Sequence, residues 1–314
     1  MNPLLDVEVK TIRQLTPLVR EFTFAAVDGK LPRFSAGSHV QVHLPVPGRA
    51  LRNAYSLLGD PSEPSSYRIA VRLQDDSRGG SRFLHEQVKE GDRLQLSPPA
   101  NLFAPSSQAR HHVLVAGGIG ITPFLAYIAE LERRGASFEL HYACRGGLTD
   151  AYRAELAERL GERFHAYDAA AGRRLDLGEA LAERPLGSHV YVCGPQALID
   201  DVRETAARLG WADKRVHWEA FAAAEPGSPF VAELASSGKR IEVPGDTSLL
   251  EALEQAGVEV PNLCRGGVCG QCTTPFLKGD VEHRDSYLSE EERATALMPC
   301  VSRGRCGSTL TLDL

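Results

Sequence analysis

Apolar positions in the first hundred residues recur every second place or fall in short β-branched runs. The runs are VEVKTI at 7–12, REFTFAA at 20–26, HVQVHL at 39–44, YRIAVRL at 67–73 and DRLQLS at 92–97. Turn formers (Pro32, Gly37, Pro45, Pro47, Gly48, Pro61) punctuate them. Short alternating strands at this spacing predict a small antiparallel β-barrel over residues 1–104. One helical stretch, SRFLHEQVKE at 81–90, follows Gly79-Gly80.

The rhythm changes at His111. Apolar strands (HHVLVA, FELHYAC, FHAY, HVYVCG, VHWEAF) alternate with amphipathic helical stretches (TPFLAYIAELERRG, AYRAELAERL, LGEALAE, PQALIDDVRETAARLG). That alternation predicts an α/β domain over 105–223, a parallel sheet covered by helices. AAAEPGSP at 222–229 reads as a linker, with 224–229 as its core, and a third module occupies 230–314. There FVAEL and KRIEV predict a hairpin, SLLEALEQAG a helix, and a cysteine-rich loop follows.

With 314 residues, 43% hydrophobic and 24% charged, the chain has the material for several packed cores and is not mainly disordered. No run approaches the roughly 20 apolar residues of a membrane helix. The start MNPLLDVEVK lacks a basic-then-apolar leader, so a cytoplasmic protein is expected. A net charge of -6 offers no basic groove for nucleic acid. The charge is uneven: residues 230–314 hold 8 Lys/Arg against 13 Asp/Glu, the preceding 229 residues 27 against 28. The acidic segment is either a solvated surface or the face of a module with its own partner.

Five of the seven cysteines fall in the last 51 residues. Cys264, Cys269 and Cys272 form C-x4-C-x2-C in CRGGVCGQC, and Cys300 lies 28 positions further on. This is the plant-type spacing for a [2Fe-2S] cluster. Gly266, Gly267 and Gly270 let the backbone wrap closely round an anionic cluster, and Arg265 adds a positive charge. A zinc site remains the alternative, but only one C-x2-C pair is present where structural zinc normally needs two pairs or histidines. Cys306 competes for the fourth position, and the apolar flank of MPC favours Cys300.

Two more strings point to anion binding. Gly117-Gly118-Ile119-Gly120-Ile121-Thr122-Pro123 follows a strand and opens a helix, where backbone N–H groups can meet a pyrophosphate. Cys193-Gly194-Pro195 has the same placement, and two such turns at the carboxyl ends of parallel strands make one crevice. In the barrel segment, Arg52-Asn53-Ala54-Tyr55-Ser56 combines a cation, an aromatic face and a hydroxyl, and Gly79-Gly80-Ser81 opens a helix.

RNAYSL, RGGSRFLHE, AGGIGITPF, YVCGP, HWEAF and the cysteine set occur in this order over the whole chain. Together they resemble the phthalate dioxygenase reductase family, NADH-dependent FMN and [2Fe-2S] reductases of two-component oxygenases, including vanillate demethylase reductases. The resemblance implies an FMN-binding barrel, a ferredoxin-reductase-like nucleotide domain and a β-grasp ferredoxin domain. The family's flavin motif R-x-Y-S/T is met by Tyr55 and Ser56. Asn53 fills the arginine slot and Arg52 stands one place earlier. Tyr55 would lie along the flavin, Ser56 would reach toward its N5, and Gly80 and Ser81 would hold the FMN phosphate. Ala54, Val71, Arg72 and Gly79 complete the implied flavin set. Thr122 and Cys193 would flank the nicotinamide, with Gly117, Gly118, Ile119, Pro123, Gly194 and Pro195 shaping its pocket. Arg145 would meet the adenosine end, and Phe221 would cover the flavin face. Hydride would pass from NADH to FMN, and single electrons through the cluster to a terminal oxygenase, a Rieske type by this resemblance, served by a monomeric reductase. Another acceptor (a separate ferredoxin, or a haem or diiron oxygenase) is the alternative, and a zinc-stabilised interaction protein a remote one.

Overall fold

The computed structural model describes residues 4–46, 49–62, 65–74, 79–221 and 225–314. The start of the expected linker, 222–224, lies outside them. The chain divides into two compact units, 1–221 and 222–314.

The first unit holds two sheets, one for each of its two expected parts. Strands β1 (Leu5–Thr16), β2 (Val19–Ala26), β3 (Ser38–Val46), β4 (Arg49–Ser56), β5 (Tyr67–Arg72), β6 (Arg93–Leu96) and β7 (Ala100–Asn101) form an antiparallel sheet in the order β4-β3-β6-β1-β2-β5, with β7 on β3. Leu58, just past β4, donates to the Arg68 carbonyl in β5, drawing the ends of that path together. Val7 and Val9, Phe22 and Phe24, Val40 and Val42, and Ile69 and Val71 alternate inward into one core. This is the expected period-two pattern expressed as packing. Helix α1 (Gly80–Glu86) packs against β3, β4 and β5.

Strands β8 (His111–Gly117), β9 (Ser137–Cys144), β10 (Phe164–Asp168), β11 (Ser188–Cys193) and β12 (Val216–Glu219) form a parallel sheet in the order β10-β9-β8-β11-β12. Helices α2 (Thr122–Arg133), α3 (Arg153–Leu160), α4 (Leu177–Leu181) and α5 (Gln196–Arg208) connect the strands. From β8 the chain builds outward to β9 and β10, then returns to add β11 and β12 on the other side. The reversal between β8 and β11 is the switch point where open α/β sheets place their ligands. Strands β8 and β11 are buried nearly throughout, as a sheet covered on both faces demands.

The second unit contains β13 (Phe230–Leu234), β14 (Arg240–Val243), α6 (Leu249–Gln255), β15 (Thr274–Lys278), β16 (Val281–Glu282), α7 (Glu290–Arg293), β17 (Ala296–Leu297), β18 (Arg303–Gly304) and β19 (Thr309–Leu312). Its main sheet runs β14-β13-β19-β15-β17, with β19 parallel to β13, and β16 pairs with β18 apart from it. The expected hairpin and helix are present, and α6 begins with a capping box between Ser248 and Glu251. The apolar face of α6 (Leu249, Leu250, Leu253) joins the β13, β14 and β19 side chains in one core. The stretch 225–228 belongs to this unit structurally. Arg284 donates to the carbonyls of Glu225 and Pro226, and Arg303 to that of Ser228.

Candidate functional site

The cysteine loop runs from α6 to β15, and four sulfurs converge on it. Cys272 and Cys300 are buried with their Sγ atoms 3.3 Å apart. Cys264 and Cys269 form a second hydrogen-bonded pair. All seven cysteines are free thiols, and Cys306 lies exposed.

Backbone N–H groups are already aimed at the sulfurs: Gly266 and Val268 toward Cys264, Gln271 toward Cys269 and Gly267 toward Cys300. In each pair one thiol donates to the other, so Cys269 is pulled down to about 6 while Cys264 is raised. Cys272 is lowered by Cys300, which is itself raised.

The glycines have steric reasons to be there. Gly270 has φ +73°, and a Cβ on it would come 2.3 Å from the Tyr287 ring; on Gly267 (φ +76°) it would come 2.7 Å from Val301. Paired thiols wrapped in amide donors fit an iron–sulfur centre. Arg265 departs from expectation. Its guanidinium is taken by Glu254 in a two-point pair of 2.8 and 2.9 Å, so it braces the loop against α6 rather than offering a free charge to the sulfurs.

In the first unit, β4 carries Arg52, Asn53, Ala54, Tyr55 and Ser56 in antiparallel register with β3. Asn53 donates to the Tyr55 hydroxyl at 3.2 Å. Burial pushes that phenol up to about 12, although part of the residue stays open to solvent. Gly79 has φ +111°, and a Cβ on Gly80 would come 2.2 Å from Asn53 Nδ2, so the glycine pair brings the start of α1 against β4. The buried Ser81 hydroxyl accepts from the Gln74 N–H. Val71 and Arg72 close β5 beside them.

Two polar atoms here are buried with no hydrogen-bond partner among the described residues, Ser56 Oγ and Arg72 Nε. Such atoms are costly unless something else satisfies them. A hydroxyl and a guanidinium held ready beside a tyrosine fit a flavin, with its ring nitrogens and anionic tail.

The two glycine turns meet at the switch point. A Cβ on Gly120 would come 2.1 Å from the Cys193 carbonyl, and one on Gly117 2.8 Å from Pro195 Cδ. A Cβ on Gly194 would come 3.0 Å from the Gly117 backbone. The turns after β8 and β11 are therefore packed backbone to backbone, which side chains would prevent. Gly118 takes φ +53°, and the Thr122 hydroxyl donates to the Ile119 carbonyl at 3.0 Å. Thr122 and Pro123 are buried, and Ile119 is half-buried. Cys193 is fully enclosed and its thiol pushed well up by burial, which suits a wall and not a nucleophile.

Arg145 is exposed after β9, and Phe221, two residues past β12, is 43% exposed. Sequence reading missed Asp168 at the end of β10. It accepts from the Gly146 and Ala170 N–H groups at 3.0 and 2.9 Å and pairs with Arg153 at 3.1 Å. Its one available signal was an acid closing a strand of the nucleotide domain.

Residues 232–304 match the 2Fe-2S iron-sulfur cluster binding domain, and residues 93–216 the N-terminal domain of dimethylamine monooxygenase subunit DmmA-like proteins. The chain is 65% identical, over the full length of both, to the beta subunit of a heme-dependent oxidative N-demethylase from Ectopseudomonas mendocina. It is 47% identical to a carnitine monooxygenase reductase subunit from Escherichia coli, over 99% of this chain and 98% of that one. With a vanillate O-demethylase oxidoreductase from Acinetobacter baylyi it shares 36% over 99% of each. Among solved structures, phthalate dioxygenase reductase aligns with 100% of this chain and 98% of its own at TM-score 0.89 and 34% identity. An intact type IV self-sufficient cytochrome P450 monooxygenase aligns at TM-score 0.74 and 34% identity, over 99% of this chain and 41% of its own.

Proposed function

The chain belongs to the phthalate dioxygenase reductase-like family, and from that premise we propose that it is the reductase subunit feeding electrons from NADH to a haem-dependent, amine-demethylating oxygenase. Residues 1–104 hold FMN, 105–223 hold the nucleotide and 230–314 hold the [2Fe-2S] cluster. A flavin held in the first of these segments would supply the switch between two-electron chemistry with the nucleotide and one-electron chemistry with the cluster, chemistry that belongs to the cofactors.

The protein's part is position. The Ser56 hydroxyl and the Arg72 guanidinium meet the flavin's polar atoms, with Tyr55 against its ring. Gly79, Gly80 and Ser81 present backbone and hydroxyl to its phosphate, and Arg52 adds a cation nearby. The close-packed turns at Gly117, Gly118, Gly194 and Pro195 would form the floor of a nicotinamide pocket flanked by Thr122 and Cys193, and would orient the ring for transfer. Phe221, 43% exposed just past β12, would cover the flavin face. Cys264, Cys269, Cys272 and Cys300 hold the cluster. The Asp168 carboxylate, an acid closing β10 and bonded to the Gly146 amide, favours a ribose diol over a 2′-phosphate, hence NADH over NADPH.

The observation that carries the flavin assignment is the pair of buried, unpartnered polar atoms on β4 and β5. The haem assignment rests on the full-length 65% identity to a heme-dependent demethylase subunit, and the likeness to a reductase found in one chain with a cytochrome P450 supports it. The Rieske-type oxygenase is the second reading, favoured by full-length identity to carnitine and vanillate system reductases.

Exposed Glu290, Glu291 and Glu292 follow Ser286 and Tyr287, which touch Gly267 and Gly270 of the cluster loop. This acidic rim steers the cluster toward a basic patch on the oxygenase. The thiol content fits a reducing cytoplasm. A single-peak mass near 34 kDa in sedimentation would match a monomer.

The deciding experiment mixes the purified holoprotein and NADH with a haem-containing demethylase subunit, or with a Rieske oxygenase, at low and high salt. Rapid haem reduction that slows with salt is expected. Reduction of the Rieske centre alone would replace the proposal with the second reading.

A further inference from the structure

A cluster of imidazoles around one carboxylate lies on the parallel sheet, apart from the two glycine turns. Strand β9 sets Glu139 and His141 two residues apart, on one face. Strand β10 runs parallel with His165 directly across from His141, and the two rings stack at 4.8 Å. His141 Nε2 stands 3.6 Å from Glu139 Oε1, and His165 Nε2 4.0 Å from Glu139 Oε2. From β8, His111 Nε2 approaches the same carboxylate at 3.6 Å.

Those separations are too long for hydrogen bonds. Among the described residues His141 Nε2 is buried with no hydrogen-bond partner, while the Arg184 guanidinium lies 3.1 Å from Glu139 Oε1. A buried imidazole nitrogen without a partner, facing a carboxylate and a second imidazole, calls for an occupant.

The spacing is informative. Ligand atoms about 2.0–2.2 Å from a tetrahedral zinc stand roughly 3.3 Å from one another. The donor atoms of Glu139, His141 and His165 all lie within 4.8 Å of each other, so small rotations close the set. The outer nitrogens are already held: His141 Nδ1 pairs with the Tyr167 hydroxyl at 2.9 Å, and His111 Nδ1 with the Ser137 hydroxyl at 2.8 Å. Fixing Nδ1 and leaving Nε2 for the ion is how metal-binding histidines are usually supported. Arg184 spans both Glu139 oxygens, 3.1 Å from Oε1 and donating to Oε2 at 3.3 Å; being partly exposed, it can slide onto Oε2 and release Oε1 to the ion. His165 is 42% exposed at its side chain, which leaves a way in.

We propose that Glu139, His141 and His165 bind one divalent cation of the zinc class, joining the edge strand β10 to β9. Imidazole with carboxylate is a borderline donor set that selects zinc-like ions over magnesium or calcium. A zinc ion lacks redox chemistry, so it stands apart from electron flow; with three protein donors, water would complete its tetrahedron.

The test uses chelator-treated holoprotein with its cluster intact, titrated with Zn²⁺ by calorimetry, with zinc and iron counted together by elemental analysis. One zinc per chain is expected, with iron unchanged. His165→Asn, at a partly exposed position that should fold normally, should remove that zinc at the same concentrations. Tyr167→Phe should weaken it by about 10-fold. Zinc should leave NADH-driven ferricyanide reduction unchanged. No zinc uptake by the parent protein, or the same uptake in His165→Asn, overturns the proposal.

Discussion

The cysteine loop and the flavin strand are both predicted cofactor sites, and they are built in opposite ways. The loop satisfies itself. Its amides point at the sulfurs, and Arg265 ties it to Glu254. The strand around Ser56 leaves polar atoms waiting. A cluster held by covalent bonds needs a loop shaped in advance around four ligands. A non-covalent flavin needs donors kept free until it arrives. Preorganisation appears as closed hydrogen bonds in one place and as open ones in the other.

The largest effect should come from breaking the loop. Cys272→Ser should lose the cluster, with iron content falling to background and transfer to a protein acceptor abolished. NADH-driven ferricyanide reduction should persist, because the flavin site lies in the other unit. Loss of bound flavin as well would mean that the two sites do not stand independently. Gly270→Ala is a milder insult to the same loop. It combines a left-handed backbone with a Cβ 2.3 Å from the Tyr287 ring, so a cost of about 1–3 kcal/mol is expected, read as lower thermal stability and partial iron occupancy.

Ser56→Ala probes the other design and should split by state. In flavin-free protein, removing a buried hydroxyl without a partner should be neutral or slightly stabilising. In the loaded protein it should cost about 1–3 kcal/mol of flavin affinity, roughly tenfold or more. Equal effects in both states would show that the hydroxyl has no flavin partner.

The smallest effect concerns acid, and it asks whether the first unit fails by its own route. His189 stacks on His217 and is lowered to about 4, first by burial and then by that neighbour. Its unfolded value is about 6.5. The unfolded chain therefore takes up the proton first, and the stability from the neutral ring is present above pH 6.5 and lost as the pH falls toward 4. His189→Phe should flatten the pH dependence of first-unit unfolding in that window, followed by flavin release. An unchanged pH profile would point to other groups.

The same contrast explains what could be read from the sequence. The cysteine ligands lie mostly within nine residues, and C-x4-C-x2-C names its own chemistry. The glycine turns were legible because each follows an apolar strand. Packing of the Gly117 turn against Gly194 was not, because it depends on β11 returning beside β8. Arg72 was named through the family resemblance and not through any local pattern of its own, since it lies on β5, 16 positions after Ser56. Strand β4 itself was visible only as a motif, its alternation obscured by Arg49, Arg52 and Asn53. The centre of the third sheet was missed for another reason. Strand β19 is four residues of alternating Thr and Leu, too short for a periodic pattern, yet β13 and β15 both pair with it. Glu139, His141 and His165 lie on two strands, and only the parallel register sets them side by side.

Arg303 carries a practical consequence for anyone wishing to excise the electron-carrier module. It is among the largest fully buried side chains, donating to the carbonyls of Thr247, Pro244 and Ser228, while the Gly227 amide donates to the Gly245 carbonyl. A fragment trimmed to begin at Phe230, where regular pairing starts, would strip an acceptor from that sealed guanidinium. Beginning at Glu225 keeps the whole clasp.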